Sequence, residues 1–271
     1  MLDVAAKINL ALLVGPRRDD GLHEVATVLQ RIEMWDSLEL GSAPTLVVEG
    51  YGEDTLVRAA LVRLAAEVGV EPRWRARLVK RIPVGAGLGG GSADAAGALL
   101  LANASLGAPL GRERLHELAA AIGSDVPFFL EPGPKLAEGA GEALTPLQLP
   151  QDFAVLVVVP TGARKASTGD VYGRFDEGDG RGFEERRRVL GEALARCRRP
   201  RDFAAFPPND LAQATGPQPL LETLRAAGAF RADVSGAGPA LYALFDDSAA
   251  AGAAAGLLQR EARAWVVAPV W

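Results

Sequence analysis

A chain of 271 residues, 49% of them hydrophobic, has apolar material for one large domain or two modest ones, which excludes a disordered chain. Its 34 acidic residues outnumber 29 basic ones, so a formal charge of -5 excludes a general basic face for nucleic acid, and an anionic ligand must find local positive charge. The single cysteine, Cys197, forms no internal disulfide, and with two histidines, His23 and His116, it leaves too few ligands for a zinc site.

No charged segment followed by an apolar signal core opens the sequence, and the longest apolar runs, such as Phe153 to Val159, are far too short to span a bilayer. The expectation is a cytoplasmic protein with no membrane partner. Lysine is rare: Lys7, Lys80, Lys135 and Lys165 stand against a background of arginine, so each lysine is a candidate for chemistry that guanidinium does not do.

From Ala6 to Val14, the residues Ala6, Ile8, Leu10, Leu12 and Val14 share one face of a strand, and Lys7 and Asn9 share the other. A polar turn over Arg17 to Gly21 precedes strand-like patterning from Glu24 to Leu40, which stops at the turn Gly41 to Pro44. Val57, Leu61, Leu64 and Val68 recur at helical spacing behind a cap at Asp54, and Gly69 ends that helix. Trp74, Ala76 and Leu78 alternate with Arg73, Arg75 and Arg77, as in a strand with one buried face.

A glycine loop follows, then helices over Ser92 to Leu106 and around Leu115 to Ile122, the second stopped by Gly123. Phe153 to Val159 reads as a buried strand, and a domain boundary is expected near Pro150. Beyond it come a charged helix around Glu184 to Arg198, with Glu184–Arg188 and Glu192–Arg196 at ion-pair spacing, and a helix over Pro219 to Ala227. Strands near Phe230 to Val234 and Ala240 to Phe245, a helix over Ala249 to Arg263 and a last strand over Trp265 to Val270 complete an α+β pattern.

The loop Pro83-Val84-Gly85-Ala86-Gly87-Leu88-Gly89-Gly90-Gly91-Ser92 runs from a strand into a helix. Its glycines let backbone N–H groups approach an anion, and the helix N-terminus adds its dipole, so the segment reads as a phosphate cradle. Two common phosphate motifs fit poorly. A dinucleotide loop follows a strand buried on both faces, whereas this strand carries three arginines, and a P-loop needs a lysine where Gly91 precedes Ser92.

Ala6-Lys7-Ile8-Asn9-Leu10, the loop Pro83 to Ala93, and Ser235-Gly236-Ala237-Gly238-Pro239 are similar, in order and spacing, to the three motifs of the GHMP kinase family. Gly123-Ser124-Asp125-Val126-Pro127-Phe128-Phe129 further resembles the Gly-Ala-Asp-Val-Pro-Phe-Phe segment of members that act on a cytidine diphosphate-linked methylerythritol. The resemblance covers nearly the whole chain. It implies a two-domain fold, with a ribosomal protein S5 domain 2-like ATP-binding domain over 1–150 and a ferredoxin-like domain over 151–271.

The same resemblance implies ATP and Mg2+ as cofactors and phosphorylation of the 2-hydroxyl of that small-molecule substrate in non-mevalonate isoprenoid synthesis. Asp125 would be the catalytic base, with Lys7 beside it stabilising developing charge, a division of labour suited to phosphoryl transfer. Taken singly, Asp125 also fits a turn or helix cap, and Lys7 an edge lysine. The loop residues Pro83, Val84, Gly85, Ala86, Gly87, Leu88, Gly89, Gly90, Gly91, Ser92 and Ala93 would hold the nucleotide, Ser92 doubling as an N-cap. Lys80 either approaches the nucleotide or forms a surface salt bridge.

Toward the acceptor, Asn9 bonds substrate, holds Lys7, or is a solvent-facing amide of the strand. The family's Gly-Tyr-His element corresponds to Gly21-Leu22-His23, and its threonine-to-aromatic element to Thr168 and Tyr172. Leu22 departs from the pattern, leaving base stacking to Tyr172 with polar contact from His23. Asn209-Asp210-Leu211 resembles a family segment and reads as loop architecture. Other acceptors of the family (homoserine, mevalonate, sugars) or a nucleotide-binding regulator without catalysis are the alternatives, and the expected assembly is a monomer or homodimer.

Overall fold

The structure is a computed structural model that describes the chain except for residues 52–54, 164–167, 177–180, 216–217 and 259–260. The expected cap Asp54 and the lysine Lys165 lie outside the described residues. The chain forms two compact units that interleave along the sequence: residues 1–6, 34–84 and 89–132 in the first, and 7–33, 85–88 and 133–271 in the second. Pro150 falls inside the second unit. Interleaving follows from two long strands, β1 (Leu2–Arg17) and β2 (His23–Ser42), each of which contributes to both units.

In the first unit the end of β2 pairs antiparallel with β4 (Trp74–Val79), which takes β3 (Val47–Glu49) in parallel on its other side. β4 alternates buried and exposed residues along its length, as its tryptophan–arginine pattern requires. Helices α1 (Thr55–Val68) and α2 (Gly90–Ser105) pack together. They are followed by α3 (Arg112–Ala120) and a 3-10 turn, Pro127–Leu130. α2 is built almost wholly of small residues because it is buried from Ala93 to Leu99. A Cβ on Gly97 would come within 2.8 Å of Val4 Cγ1.

In the second unit the first half of β2 pairs with β5 (Lys135–Gly139), and β5 with β6 (Ala143–Pro146). A separate four-stranded antiparallel sheet runs in the order β10 (Ala262–Val267), β7 (Ala154–Pro160), β9 (Leu241–Phe245), β8 (Arg231–Val234). Its βαββαβ succession, with helices α4 (Thr168–Asp176) and α5 (Phe183–Arg196), then α6 (Pro219–Ala226), before β8, and α7 (Ser248–Gly256) between β9 and β10, is the ferredoxin-like arrangement. Leu156, Val158, Leu224, Val234, Leu241 and Phe245 form the centre of its core.

Two boundaries differ from the sequence reading. The last helix stops at Gly256 rather than Arg263, and β10 begins at Ala262, because Leu258 turns in to the sheet and the chain must cross back over β7. On α5, Arg188 pairs with Glu185 and Glu192, while Arg187 reaches Glu138 at 2.7 Å, so the expected Glu184–Arg188 pair gives way to neighbours within one turn. No helix among the described residues is long and apolar enough to cross a membrane.

Candidate active site

β1 is buried on both faces from Val4 to Gly15, so the face carrying Lys7 and Asn9 lies in protein rather than in water, each side chain about 3% exposed. A buried ammonium must be hydrogen-bonded. Lys7 Nζ donates to Asn9 Oδ1 at 2.7 Å, Asn9 Nδ2 donates to Thr27 Oγ1 at 2.8 Å, and Thr27 Oγ1 donates to the carbonyl of Ala11 at 2.7 Å. Asn9 therefore holds the lysine and is not a solvent-facing amide.

The second unit brings three distant stretches of chain to this lysine. The backbone N–H of Lys7 donates to Leu88 O at 2.9 Å, that of Ala240 to Ala86 O at 2.9 Å, and Ser235 Oγ to Gly87 O at 3.0 Å. Gly236 packs so closely that a Cβ there would sit 3.6 Å from Lys7 Nζ and 3.5 Å from Asn9 Oδ1. Residues 86–88 of the glycine loop, Lys7 and the Ser235–Gly238 turn therefore meet at one place.

Where the glycine loop enters α2, the helix begins at Gly90 and its N-cap is Gly89 at φ 72°, with no side chain accepting from the first turn. Ser92 is thus the third helical residue and not the cap: glycine takes the cap because only it adopts this left-handed conformation freely. Among the described residues, none of the amides of Gly89, Gly90, Gly91 and Ser92 donates to a backbone carbonyl. These are the groups that a phosphate accepts from at a helix N-terminus.

Lys80 faces inward beneath this turn. Its Nζ lies 2.5 Å from both Asp36 Oδ2 and Asp94 Oδ2, two fully buried carboxylates, and Asp36 Oδ1 accepts from the N–H groups of Arg81 and Ile82. Burial alone would lower the affinity of the ammonium for its proton. The carboxylates of Asp94 and Asp36 outweigh burial and hold its pKa above the ordinary lysine value. The salt bridge expected at the surface is instead an internal tie between the end of β4 and the start of α2.

Asp125 lies in the first unit, half-buried in the turn just before Pro127–Leu130; the N-cap of that 3-10 turn is Val126, so Asp125 is not its cap. On the second unit His23 is buried, with Nδ1 3.0 Å from Gly15 O and Nε2 3.0 Å from Asp176 Oδ1. The Tyr172 ring stands 5.1 Å from that of His23, and Leu22 is 50% exposed beside them in sequence. Thr168 opens α4, and its side chain lies outside the described residues.

Residues 55–133 match the model of the GHMP kinases N terminal domain, and residues 216–263 that of the GHMP kinases C terminal domain. A 4-diphosphocytidyl-2-C-methyl-D-erythritol kinase of Salinispora tropica is 41% identical over 87% of this chain and 80% of its own length. The chain belongs to the GHMP kinase family. A second relative of the same name, from Geobacter sulfurreducens, is 36% identical over 99% of this chain and 97% of its own. The crystal structure of a 4-(cytidine 5'-diphospho)-2C-methyl-D-erythritol kinase superposes with a TM-score of 0.78 at 34% identity, covering both chains completely. A mevalonate kinase structure shares the GHMP fold, with a TM-score of 0.75 at 14% identity.

Within this GHMP kinase, sequence reasoning passed over Thr27, which anchors Asn9, although a hydroxyl inside the apolar run Val25 to Leu29 was a usable signal. It also left the third motif without a physical role. Ser235 and Gly236 supply one by closing on Gly87 and Lys7.

Proposed function

We propose that this protein is a cytoplasmic enzyme that transfers the γ-phosphoryl group of ATP to the 2-hydroxyl of 4-diphosphocytidyl-2-C-methyl-D-erythritol. The observation that carries the proposal is the meeting of the Lys7 ammonium with the glycine loop and the Ser235–Gly238 turn, in a chain whose relatives bear that kinase name. The amides from Gly89 to Ser92, together with the dipole of α2, bind phosphate oxygens. Lys7, oriented by Asn9, offsets negative charge that shifts onto the transferring group.

Asp125 is assigned to accept the proton of the attacking hydroxyl, the task of a carboxylate base in phosphoryl transfer. Magnesium, when bound, neutralises charge on the nucleotide phosphates; the half-buried hydroxyl of Ser92 in the first turn of α2 fits a ligand of that hard cation. Tyr172, on the second unit, offers a π-face suited to a cytosine ring, and His23, with its ring nitrogens facing Gly15 O and Asp176 Oδ1, packs beside it.

Turnover tests the proposal. Purified protein with ATP, magnesium and the cytidine-linked acceptor should release ADP, with homoserine, mevalonate and free methylerythritol phosphate as poor acceptors. Asp125→Asn and Lys7→Met should each lose at least about a hundredfold in kcat, as expected for removing a proton acceptor or a charge-stabilising group. Full activity in Asp125→Asn would remove the assigned base, and faster turnover of mevalonate or homoserine would reassign the substrate.

A further inference from the structure

Asn209 is 2% exposed, lies on a loop far from Lys7 in sequence, and both polar atoms of its side chain are hydrogen-bonded. Its side-chain NH2 donates to Val234 O at 3.0 Å and to Gly236 O at 2.7 Å. Its Oδ1 accepts from the Leu211 N–H at 2.9 Å, and its own backbone N–H donates to Asp233 Oδ2 at 2.9 Å. Among the described residues no other group donates to Gly236 O.

The base under Asn209 is densely hydrogen-bonded. Asp233 also accepts from the Val234 N–H at 2.8 Å, and the buried guanidinium of Arg231 donates to Phe203 O, Phe206 O, Pro207 O and the Tyr242 hydroxyl, which donates onward to Leu10 O on β1. An asparagine serving only its own loop would need just the Oδ1 bond to Leu211, which an aspartate makes equally well. The two N–H donors instead leave the loop and end on Val234 O, at the close of β8, and on Gly236 O, in the turn that bonds Gly87 and lies beside Lys7.

We propose that Asn209 is a positioning residue for phosphoryl transfer: through its two amide donors it fixes the Ser235–Gly238 turn, and thereby the placement of Gly87 and Lys7. This rests on the role given above to Lys7. Small displacements at a reacting centre lower turnover steeply, so the effect falls on kcat rather than on acceptor affinity. A residue that only stabilised the second unit would show no such split.

The experiment compares Asn209→Asp, Asn209→Ala and Leu224→Ala, measuring thermal midpoint, kcat, and KM for ATP and for the cytidine-linked acceptor. Leu224 is fully buried in the core of the sheet that carries β8, away from the turn, so its truncation lowers stability without removing a bond to the site. Asn209→Asp keeps the bond to Leu211 and lacks the donors to Val234 and Gly236. It should lose about ten- to a hundredfold in kcat with acceptor KM within about twofold, while Leu224→Ala keeps kcat within about twofold at an equal or larger loss of thermal midpoint.

Asn209→Asp that folds and keeps kcat within about twofold overturns the proposal, as does a Leu224→Ala loss that matches it at equal stability. If Asn209→Asp fails to fold, Asn209→Ser decides in the same way, since it keeps a cap for Leu211 and cannot reach both carbonyls. Lys7→Met is assayed alongside. Retained turnover there defeats the reading of Lys7, a result distinct from any outcome at Asn209.

Discussion

Ser235 Oγ donates to the carbonyl oxygen of Gly87 at 3.0 Å, and Gly87 accepts that contact with φ at 84°. The two backbones are so close that a Cβ on Gly87 would run into Ser235 O and lie 3.1 Å from Gly238 O. Gly87→Ala therefore combines a left-handed backbone penalty of about 1–2 kcal/mol with displacement of the turn over Lys7. Gly69 provides the control, with φ 75° and nothing within 4 Å of its missing Cβ. Gly69→Ala should lower the unfolding free energy by about 1 kcal/mol and leave kcat/KM unchanged, whereas Gly87→Ala should lower kcat/KM for ATP at least about tenfold. Equal activity in the two variants would detach the turn from function.

The internal tie at Lys80 makes a separate prediction. Lys80→Met leaves Asp36 and Asp94 buried side by side without their cation, and breaking a buried pair in this way costs about 3–5 kcal/mol. Urea unfolding should show that loss, with KM for ATP changed little in the folded fraction. The pH dependence has a definite sign. The folded pKa of Lys80 lies above its unfolded value, so its stabilisation is complete below the ordinary lysine value and is lost as pH rises through the folded one. Wild-type stability should thus fall in strongly alkaline solution, and Lys80→Met should show less of that fall. A variant with unaltered stability and a raised KM for ATP would instead return Lys80 to the nucleotide.

Much of this architecture was legible in the sequence where one face of an element meets water. β4 alternates as its arginines demand, and Val57, Leu61 and Leu64 sit buried on α1 as their spacing implies. The same logic misleads where both faces are covered: on β1 a period of two was taken to separate core from solvent, yet Lys7 and Asn9 are as buried as Ile8. The alanine-rich stretch after Ser248 carries helical propensity past its true end, because the point where the chain returns to pair with β7 is fixed by the sheet. Interleaving of the two units was beyond local patterns, since continuous strands give no boundary to read. At the site, the motifs singled out Lys7, the glycine loop and Ser235 without placing them together; which atom holds which was decided by long-range bonds such as Asn209 to Gly236.

The acceptor side predicts a gain as well as a loss. Tyr172 packs 5.1 Å from His23, and Leu22, half exposed, stands where an aromatic residue was expected. Stacking of a base on an aromatic ring is worth about 1–3 kcal/mol. Tyr172→Ala should raise the acceptor KM about tenfold with KM for ATP unchanged, and Leu22→Tyr should lower it, at little cost in stability because the position is open to solvent. Identical acceptor KM values in wild type, Leu22→Tyr and Tyr172→Ala would place the base elsewhere.

Cys197 ends α5 and is buried, 4% exposed. Burial pushes its thiol up to about 11, with Asp202 adding to the effect and Arg198 opposing it. Near pH 8 the thiolate fraction is then about a hundredfold below that of an ordinary cysteine, and only the thiolate attacks disulfide reagents. Native protein should react with an aromatic disulfide at least about a hundredfold more slowly than protein in denaturant, and kinase activity should survive that exposure. Because the folded pKa is raised, the thiol stabilises the fold fully below its unfolded pKa and ceases to do so as pH rises through about 11. Cys197→Ser, which puts a hydroxyl in the same buried space, should therefore reduce stability at neutral pH by about 1–2 kcal/mol and narrow the difference from wild type in alkali. Rapid stoichiometric labelling of the folded enzyme near pH 8 would show that the thiol is reachable and ionised, contrary to its burial at the end of α5.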